Sequence, residues 1–496
     1  MKGFGSRLVT ASICAALAAC GGGSSHDEVA PATSSIVSVG TITGFGSVIV
    51  NGVRFDDSSA TITVNDQVAT REQLKVGMVV EVEGRAPACP NSDQAVCEGI
   101  AARIRFRNNL EGPITSINRL TNTLQVMGRE IAFDESTVFA GASQSDLGGL
   151  SVGDTVSVSG LTDQTRLRAR LIERTGSFQN GMTPIMLHGL VAQVDTALGT
   201  CTVDGIQVRF QGLSAAELPA GGLVDGQYVE VQGKGYGETV MTADRIQLRE
   251  RISFPDASLV EVEGYVSGFV SVSAFTVGGQ KVDASTALFR NGTAADLKDG
   301  VRIEVEGTMS GAVLIASKVI FRQEINAQIV APIQAKDAGA SSFVQLGQTV
   351  LTTPLTQFLD SSGAGGRAVP TLAYPDLAIS DRIDVRAYRN SDGVLVAMRV
   401  ERTDPDPVLI AKGPVDSKSP LTRLGLLGID VATGPATRYR DTLGNLISDI
   451  DFYALLQVPP AMPTIVRVQG EALAGSLNTI DATRATSTRG EVEIAH

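Results

Sequence analysis

Tryptophan is absent from this 496-residue chain, aromatic residues make up only 5% of it, and histidine occurs three times. Stacking platforms for bases or sugars are therefore scarce. His26, His188 and His496 do not recur at equivalent places in the chain, which argues against a histidine-based zinc site or a hydrolase triad. A basic run is also missing: 41 Lys and Arg stand against 53 Asp and Glu, a formal net charge of −12. Nucleic-acid binding draws much of its affinity from neutralised phosphates, so this balance excludes it. No segment supplies the about 20 apolar residues that a membrane-spanning helix needs. Apolar residues at helical spacing are nearly absent as well.

What the chain does contain is a repeat. G-T-I-T-G begins at Gly40 and is followed by S-V-I-V-N-G-V-R-F, L-K-V-G-M-V-V-E-V-E-G and A-A-R-I-R-F-R. Variants of this order return at intervals of roughly 65–80 residues, the mark of a repeat architecture. The first landmark is a turn ending in Gly: Asn51-Gly52, Met127-Gly128, Asp204-Gly205, Gly278-Gly279, Leu346-Gly347 and Leu427-Gly428. Asn-Gly, Asp-Gly and Gly-Gly suit two-residue hairpins that need positive φ, whereas Met-Gly and Leu-Gly point there less strongly. The second landmark is a Leu, a Gly and an alternating strand, beginning at Leu74, Leu150, Leu223 and Leu297. It degrades to L-A-I-S-D-R-I-D-V-R-A from Leu377 and to T-I-V-R-V-Q-G from Thr464. The third is a closing strand entered through Ala101, Ala169, Ala243, Ala316, Ala397 or Ala482, and a small residue at one fixed place implies a crowded crossing of strands.

Six units follow: 38–109, 110–180, 186–252 and 258–325, then the divergent 326–406 and 407–496. Each offers about five short strands and a helical turn before the Leu-x-x-Gly landmark, as at 69–74 and 293–297. Five strands with a longer connection between the third and fourth match a small barrel of the OB type. The expected fold is all-β, a tandem array of about six five-stranded OB-like β-barrel repeats, arranged as an elongated series. One continuous β-sheet structure is the alternative. A domain near 60 residues buries only about 60% of its unfolded surface, so neighbours should pack end to end or share edge strands. Val82, Val158, Val231, Val305 and Val468 share one strand register and should face the barrel interiors. Glu81, Glu83, Glu261, Glu263, Glu304 and Glu306 alternate with such residues and should form a solvated exterior that protects strand edges. Period-two carboxylates lie about 7 Å apart, too far for a calcium cage, so no metal site is expected.

Lys2 and Arg7 precede a short apolar run over 8–19 that ends in Leu17-Ala18-Ala19-Cys20. This resembles a bacterial lipoprotein signal: a signal peptide at 1–19, lipidation of Cys20 as the membrane anchor, and a flexible Gly/Ser-rich tether at 20–37. An ordinary signal peptide with an incidental Cys20 is the alternative. Gly21, rather than Asp, after the lipidated residue points to the outer membrane, facing either the periplasm or the surface. Loss of the signal leaves 39 basic against 53 acidic side chains, a net of −14. In an oxidising envelope Cys89 and Cys97 form a disulfide candidate. Cys201 aligns with Val48 and reads as a small buried hydrophobe.

Gly44-Phe45-Gly46-Ser47 and Gly233-Lys234-Gly235-Tyr236-Gly237 evoke nucleophile or phosphate loops but lack the strand-to-helix setting those need. No catalytic residue and no cofactor are assigned. The stretch G-T-I-T-G-F-G-S-V-I-V-N-G-V-R-F from Gly40 and the L-x-x-G-x-x-V-x-V-x-G strand resemble an uncharacterised bacterial family, domain of unknown function 5666, commonly described as lipoproteins. The resemblance is good over four units and poor over the last two, and it brings no catalytic residues. The expectation is a non-enzymatic, lipid-anchored envelope protein that binds a protein, a peptide or an envelope polymer. Its long connections, 86–98 and 362–377, are the places for recognition. A structural spacer is the alternative, and an enzyme of unknown type is third.

Overall fold

A two-residue turn in which both residues have positive φ twists its flanking strands in the sense a sheet requires. All six Gly-ending pairs adopt it, from Asn51 and Gly52 (φ 51° and 78°) to Leu427 and Gly428 (φ 54° and 76°). The Met-Gly and Leu-Gly pairs thus make the same turn as Asn-Gly. Met127, Leu346 and Leu427 are buried there, so core packing offsets the strain of a left-handed non-glycine residue. Room for the turn comes from a glycine in the preceding strand. A Cβ on Gly40, Gly112, Gly189 or Gly413 would lie 2.2–2.7 Å from the side chain of Asn51, Met127, Asp204 or Leu427.

The computed structural model describes residues 34–495 apart from 88–96, 120, 142–148, 164–165, 238, 364–371, 391, 420 and 484–489. In the first repeat the long strand Ser34–Gly44 pairs with Val48–Val50 and with Val79–Ala86. Val79–Ala86 pairs with Cys97–Phe106, which runs parallel to Val53–Asp56, the partner of Val48–Val50. That closes a five-stranded ring with one parallel contact, the OB arrangement. The same pairings recur in the later copies. Short 3-10 turns at Arg71–Gln73, Ala294–Asp296 and Tyr374–Asp376 precede Leu74, Leu297 and Leu377, and all three leucines are buried. One α-helix, Asp449–Leu455, is present among the described residues.

Val82, Val158, Val231, Val305 and Val468 are fully buried inside their barrels, as the alternation predicts. The recurring spacing of small residues along the chain also has a structural cause. The strand pairing slips at Gly84, Gly160, Gly233, Gly307 and Ala387, each opposite the landmark Ala101, Ala169, Ala243, Ala316 or Ala397. These slips are β-bulges that sharpen the bend closing a barrel.

The barrels do not follow one another as an elongated series, and that expectation is corrected. Repeat 2 joins repeat 3 through Leu110 and Glu111 beside Leu187 and Met186. Repeat 5 joins repeat 6 through Gln328–Val330, which runs antiparallel to Ile410–Lys412 with Gln328 opposite Lys412. Repeat 1 joins repeat 4, its Ile36 to Val39 running parallel to Leu259 to Val262. The core of repeat 1 also takes in Val138, Ala140 and Leu171 from repeat 2 and Leu359 from repeat 5. Small barrels bury little apolar surface alone, and pairing extends each core into a neighbour.

Candidate functional site

Cys20 and Cys89 lie outside the described residues, as do most of the connection 86–98 and half of 362–377. Cys97 opens the strand Cys97–Phe106 and is buried. Cys201 is a buried free cysteine whose thiol burial and the Asp225 carboxylate push up to about 11, far from an activated nucleophile. Phe45 is buried in its turn, and Gly233–Gly237 lies within the strand Tyr228–Gly237, so neither Gly-rich stretch builds a loop over a helix.

The alternating acids require correction. Glu83 is half-buried, but Glu81, Glu261, Glu263, Glu304 and Glu306 are buried rather than solvated. The register is as predicted. The barrel exterior on which they sit is covered by another barrel. Glu81 pairs with Arg105 at 3.1 Å, Glu304 with Arg322, and Glu263 with Arg302 while also accepting a 2.8 Å bond from the Thr41 N–H of repeat 1. Ser38 donates to Glu261 at 2.8 Å. Burial pushes Glu304 up to about 7 against the pull of Arg322, and burial with the Glu304 carboxylate pushes Glu261 well up. Against the same burial, Arg302 and Arg322 hold Glu263 well below the ordinary range. This is an ion-paired seam between repeats 1 and 4.

Asp66, His188 and Glu230 bring three potential ligand atoms within 4.8 Å of one another. Their chemistry is nonetheless that of a seam. Arg249 reaches Asp66 at 2.8 Å and Glu230 at 3.1 Å, and Arg107 reaches Asp66 at 2.7 Å. His188 uses both ring nitrogens, on Asn108 O at 2.9 Å and on Glu230 at 3.1 Å. Two guanidiniums already fill the place a cation would take.

A different arrangement occupies the joint of repeats 2, 5 and 6. The strands Leu395–Thr403, Arg382–Arg389, Ala327–Pro332, Leu409–Ser419 and Ile465–Ala472 lie side by side. Their pairing register puts Arg399, Arg386, Gln328, Lys412 and Arg467 in one row across the sheet. Val385, Val400, Ile329, Ala411 and Val468 turn inward and are buried, so the row faces out of the barrels. Repeat 2 covers it with 133–139, leaving a cavity of about 720 Å³.

Six cations line this cavity: Arg119, Arg382, Arg386, Arg399, Arg467 and Lys412. The four lining acids are largely engaged. Glu135 serves both Arg386 and Lys412; Asp384 serves Arg386; Asp134 is held by Arg170 at 2.8 Å. Glu401 accepts from Ser361 and stands 3.7 Å from Arg399. Arg382 is left with Thr403 and the Val408 carbonyl, and Arg399 donates to the Thr137 carbonyl at 2.8 Å. Arg467 has no ion-pair partner among the described residues, only Gln469 at 3.4 Å. The Nε atoms of Arg382 and Arg399 are buried without a hydrogen-bond partner. Burial, with Arg399 and Arg467 nearby, brings Arg386 down to about 9, and burial with Arg386 and Arg467 lowers Lys412. Burial raises Asp384 to about 6 despite Arg399. Buried cations are costly unless paired, so a cationic cavity in an acidic chain is poised for anionic groups.

Sequence reasoning missed this site, although a signal was present. At the outward places where repeat 1 carries Glu81 and Glu83, repeat 5 carries Asp384 and Arg386, and repeat 6 carries Arg467 and Gln469. The units that diverge from the repeat are the ones whose outward charge changes sign.

A comparison with curated proteins gives no match. The profile of one family, Domain of unknown function (DUF5666), matches at 38–88, 111–173, 188–247, 263–320 and 331–401. The fifth unit, where the resemblance in the repeat landmarks is poor, is thus included, and the matched segments make up more than half of the chain. With five matched copies on successive five-stranded barrels, the chain belongs to the DUF5666 family.

Proposed function

We propose that this protein is a lipid-anchored bacterial envelope protein that binds a ligand without turning it over, and that its ligand seat is the cavity between repeats 2, 5 and 6. The observation that carries the reading is a cavity of about 720 Å³ built by three separate repeats, within the range of roughly 300–1,000 Å³ typical of small-molecule sites. Anchoring at Cys20 rests on the sequence of the signal. The spacer alternative draws no support from a fold in which repeat 1 pairs with repeat 4.

The test uses the full chain in mild detergent. Thermal shift is measured against a panel of neutral saccharides, short peptides, phosphates and di- and tricarboxylates. At least one class should raise the melting temperature saturably, and Ile465→Trp, which fills the cavity from its wall, should abolish the effect. A panel with no saturable binder, or one whose binding Ile465→Trp leaves intact, overturns the proposal.

A further inference from the structure

We infer that the cavity takes a small organic molecule bearing two or more phosphate or carboxylate groups, laid along the row from Arg399 to Arg467; this rests on the cavity being the ligand seat.

Geometry sets the number of anionic groups. Neighbouring strands lie about 4.8 Å apart, so the four steps from Arg399 through Arg386, Gln328 and Lys412 to Arg467 span roughly 19 Å. A single phosphate or carboxylate cannot reach both ends. The middle of the row is already engaged, because Glu135 holds Arg386 and Lys412 together and Asp384 also serves Arg386. The incompletely engaged cations lie toward the edges: Arg382 and Arg399, each with a buried Nε that has no hydrogen-bond partner, on the repeat 5 side, and Arg467, which donates only to Gln469 and has no ion-pair partner among the described residues, on the repeat 6 side. A ligand with two separated anionic groups meets both edges, whereas a compact monoanion meets one. Guanidinium rather than ammonium at both edges fits planar two-point recognition of phosphate or carboxylate.

The rest of the wall argues for an organic body between the anionic groups. Phe133, Phe139, Val330, Ile410 and Ile465 line the same cavity. Phe133 and Phe139 meet edge to face at 5.8 Å between centroids, a rigid apolar pair supplied by repeat 2. Placed between the two edges, this surface suits a carbon skeleton. The acids Glu401 and Asp384, one row along from Arg399 and Arg386, stand against a ligand that would fill the whole wall with negative charge.

The test is isothermal titration of the full chain with sebacate, decane-1,10-diyl bisphosphate, acetate, phosphate and glucose as probes, the first two carrying anionic groups at opposite ends of a carbon chain. Sebacate or the bisphosphate should bind saturably and acetate, phosphate and glucose at least tenfold more weakly; which of the first two binds more tightly identifies the anionic group. Arg467→Gln should weaken that binding at least tenfold, and Arg423→Gln, at an exposed position, should not. Arg467→Gln should also raise the melting temperature of the unliganded protein, since it removes one of several facing cations; a merely structural Arg467 would give a fall. Tight binding of a polyanion that Arg467→Gln leaves unchanged overturns the inference. So does saturable binding of a neutral compound that Ile465→Trp blocks and Arg467→Gln does not, an outcome that keeps the cavity as ligand seat. Absence of any binder overturns both.

Discussion

Replacing Gly307 by Ala adds one methyl group at the bulge that closes the fourth barrel. The new Cβ would lie 2.2 Å from the Ile315 carbonyl oxygen, 2.8 Å from its carbon and 2.9 Å from the Ala316 Cα. Ordinary contact begins near 3.4 Å, so the overlap with the oxygen is about 1.2 Å. All three atoms are main chain, and no flexible side chain can swing away. Overpacking costs typically 1–3 kcal/mol, and a clash between two paired backbones belongs at the upper end, ~3 kcal/mol, or roughly a hundredfold in the local opening equilibrium. Native-state hydrogen exchange of the strand Val313–Phe321 reads that equilibrium for one barrel. Gly176→Ala is the control: nothing lies within 4 Å of its Cβ position and its φ is not in the left-handed region, so the change should stay within about 0.5 kcal/mol. The fifth repeat carries Ala387 at the equivalent place and keeps the bulge, so the matching overload there is Ala387→Val. Equal exchange in Gly307→Ala and Gly176→Ala would refute the crowding argument.

Cys20→Ser should abolish fatty-acid labelling and release the protein from membranes; acyl labelling that persists in the variant rules out that site. Peptide mapping without reductant should recover Cys89 linked to Cys97, with a stabilisation of roughly 2–3 kcal/mol confined to the first barrel, and two free thiols in envelope-purified protein would count against the pair. Val305→Asp should bury an unpaired carboxylate and unfold the fourth barrel; protected amides in that barrel at neutral pH would show the register to be wrong. Stability should fall as pH rises from about 5 to about 7. Glu304, at about 7, and Asp384, at about 6, keep protons in the folded protein that the unfolded chain has already lost. The urea midpoint measured across that window should therefore decline, and a rising midpoint contradicts the assignment.

Local signals made much of the fold legible. The spacing of the Gly-ending turns, the Leu-x-x-Gly strands and the entering Ala is enough to place five strands per unit, because each is a short-range requirement of backbone geometry. The inward face was legible for the same reason, since alternation assigns Val82 and its counterparts to one side of a strand. The environment of the other side was not. Glu81 and Glu304 read as solvated because the alternation carries no information about what covers an exterior. Charge could have hinted at it. Arg302, Lys318 and Arg322 stand at the matching outward places of neighbouring strands, but pairing them with particular acids needs the register between strands.

The cationic row shows the division most clearly. The sequence alone determined that repeats 5 and 6 depart from the others and that Arg386 and Arg467 replace acids or polar residues there. It also determined the barrel type, the turns and the inward residues, all of which depend on contacts within one unit. Only the tertiary structure decided that Arg399, Arg386, Lys412 and Arg467 share a row, that 133–139 of repeat 2 roofs it, and that repeat 1 pairs with repeat 4. Those contacts join residues far apart in the chain: Thr41 meets Glu263 across 222 residues, and Lys412 meets Glu135 across 277. The physical reason is that short-range periodicity fixes which way a side chain points, whereas its neighbour across an interface is chosen by the competition among whole barrel surfaces for burial and charge pairing.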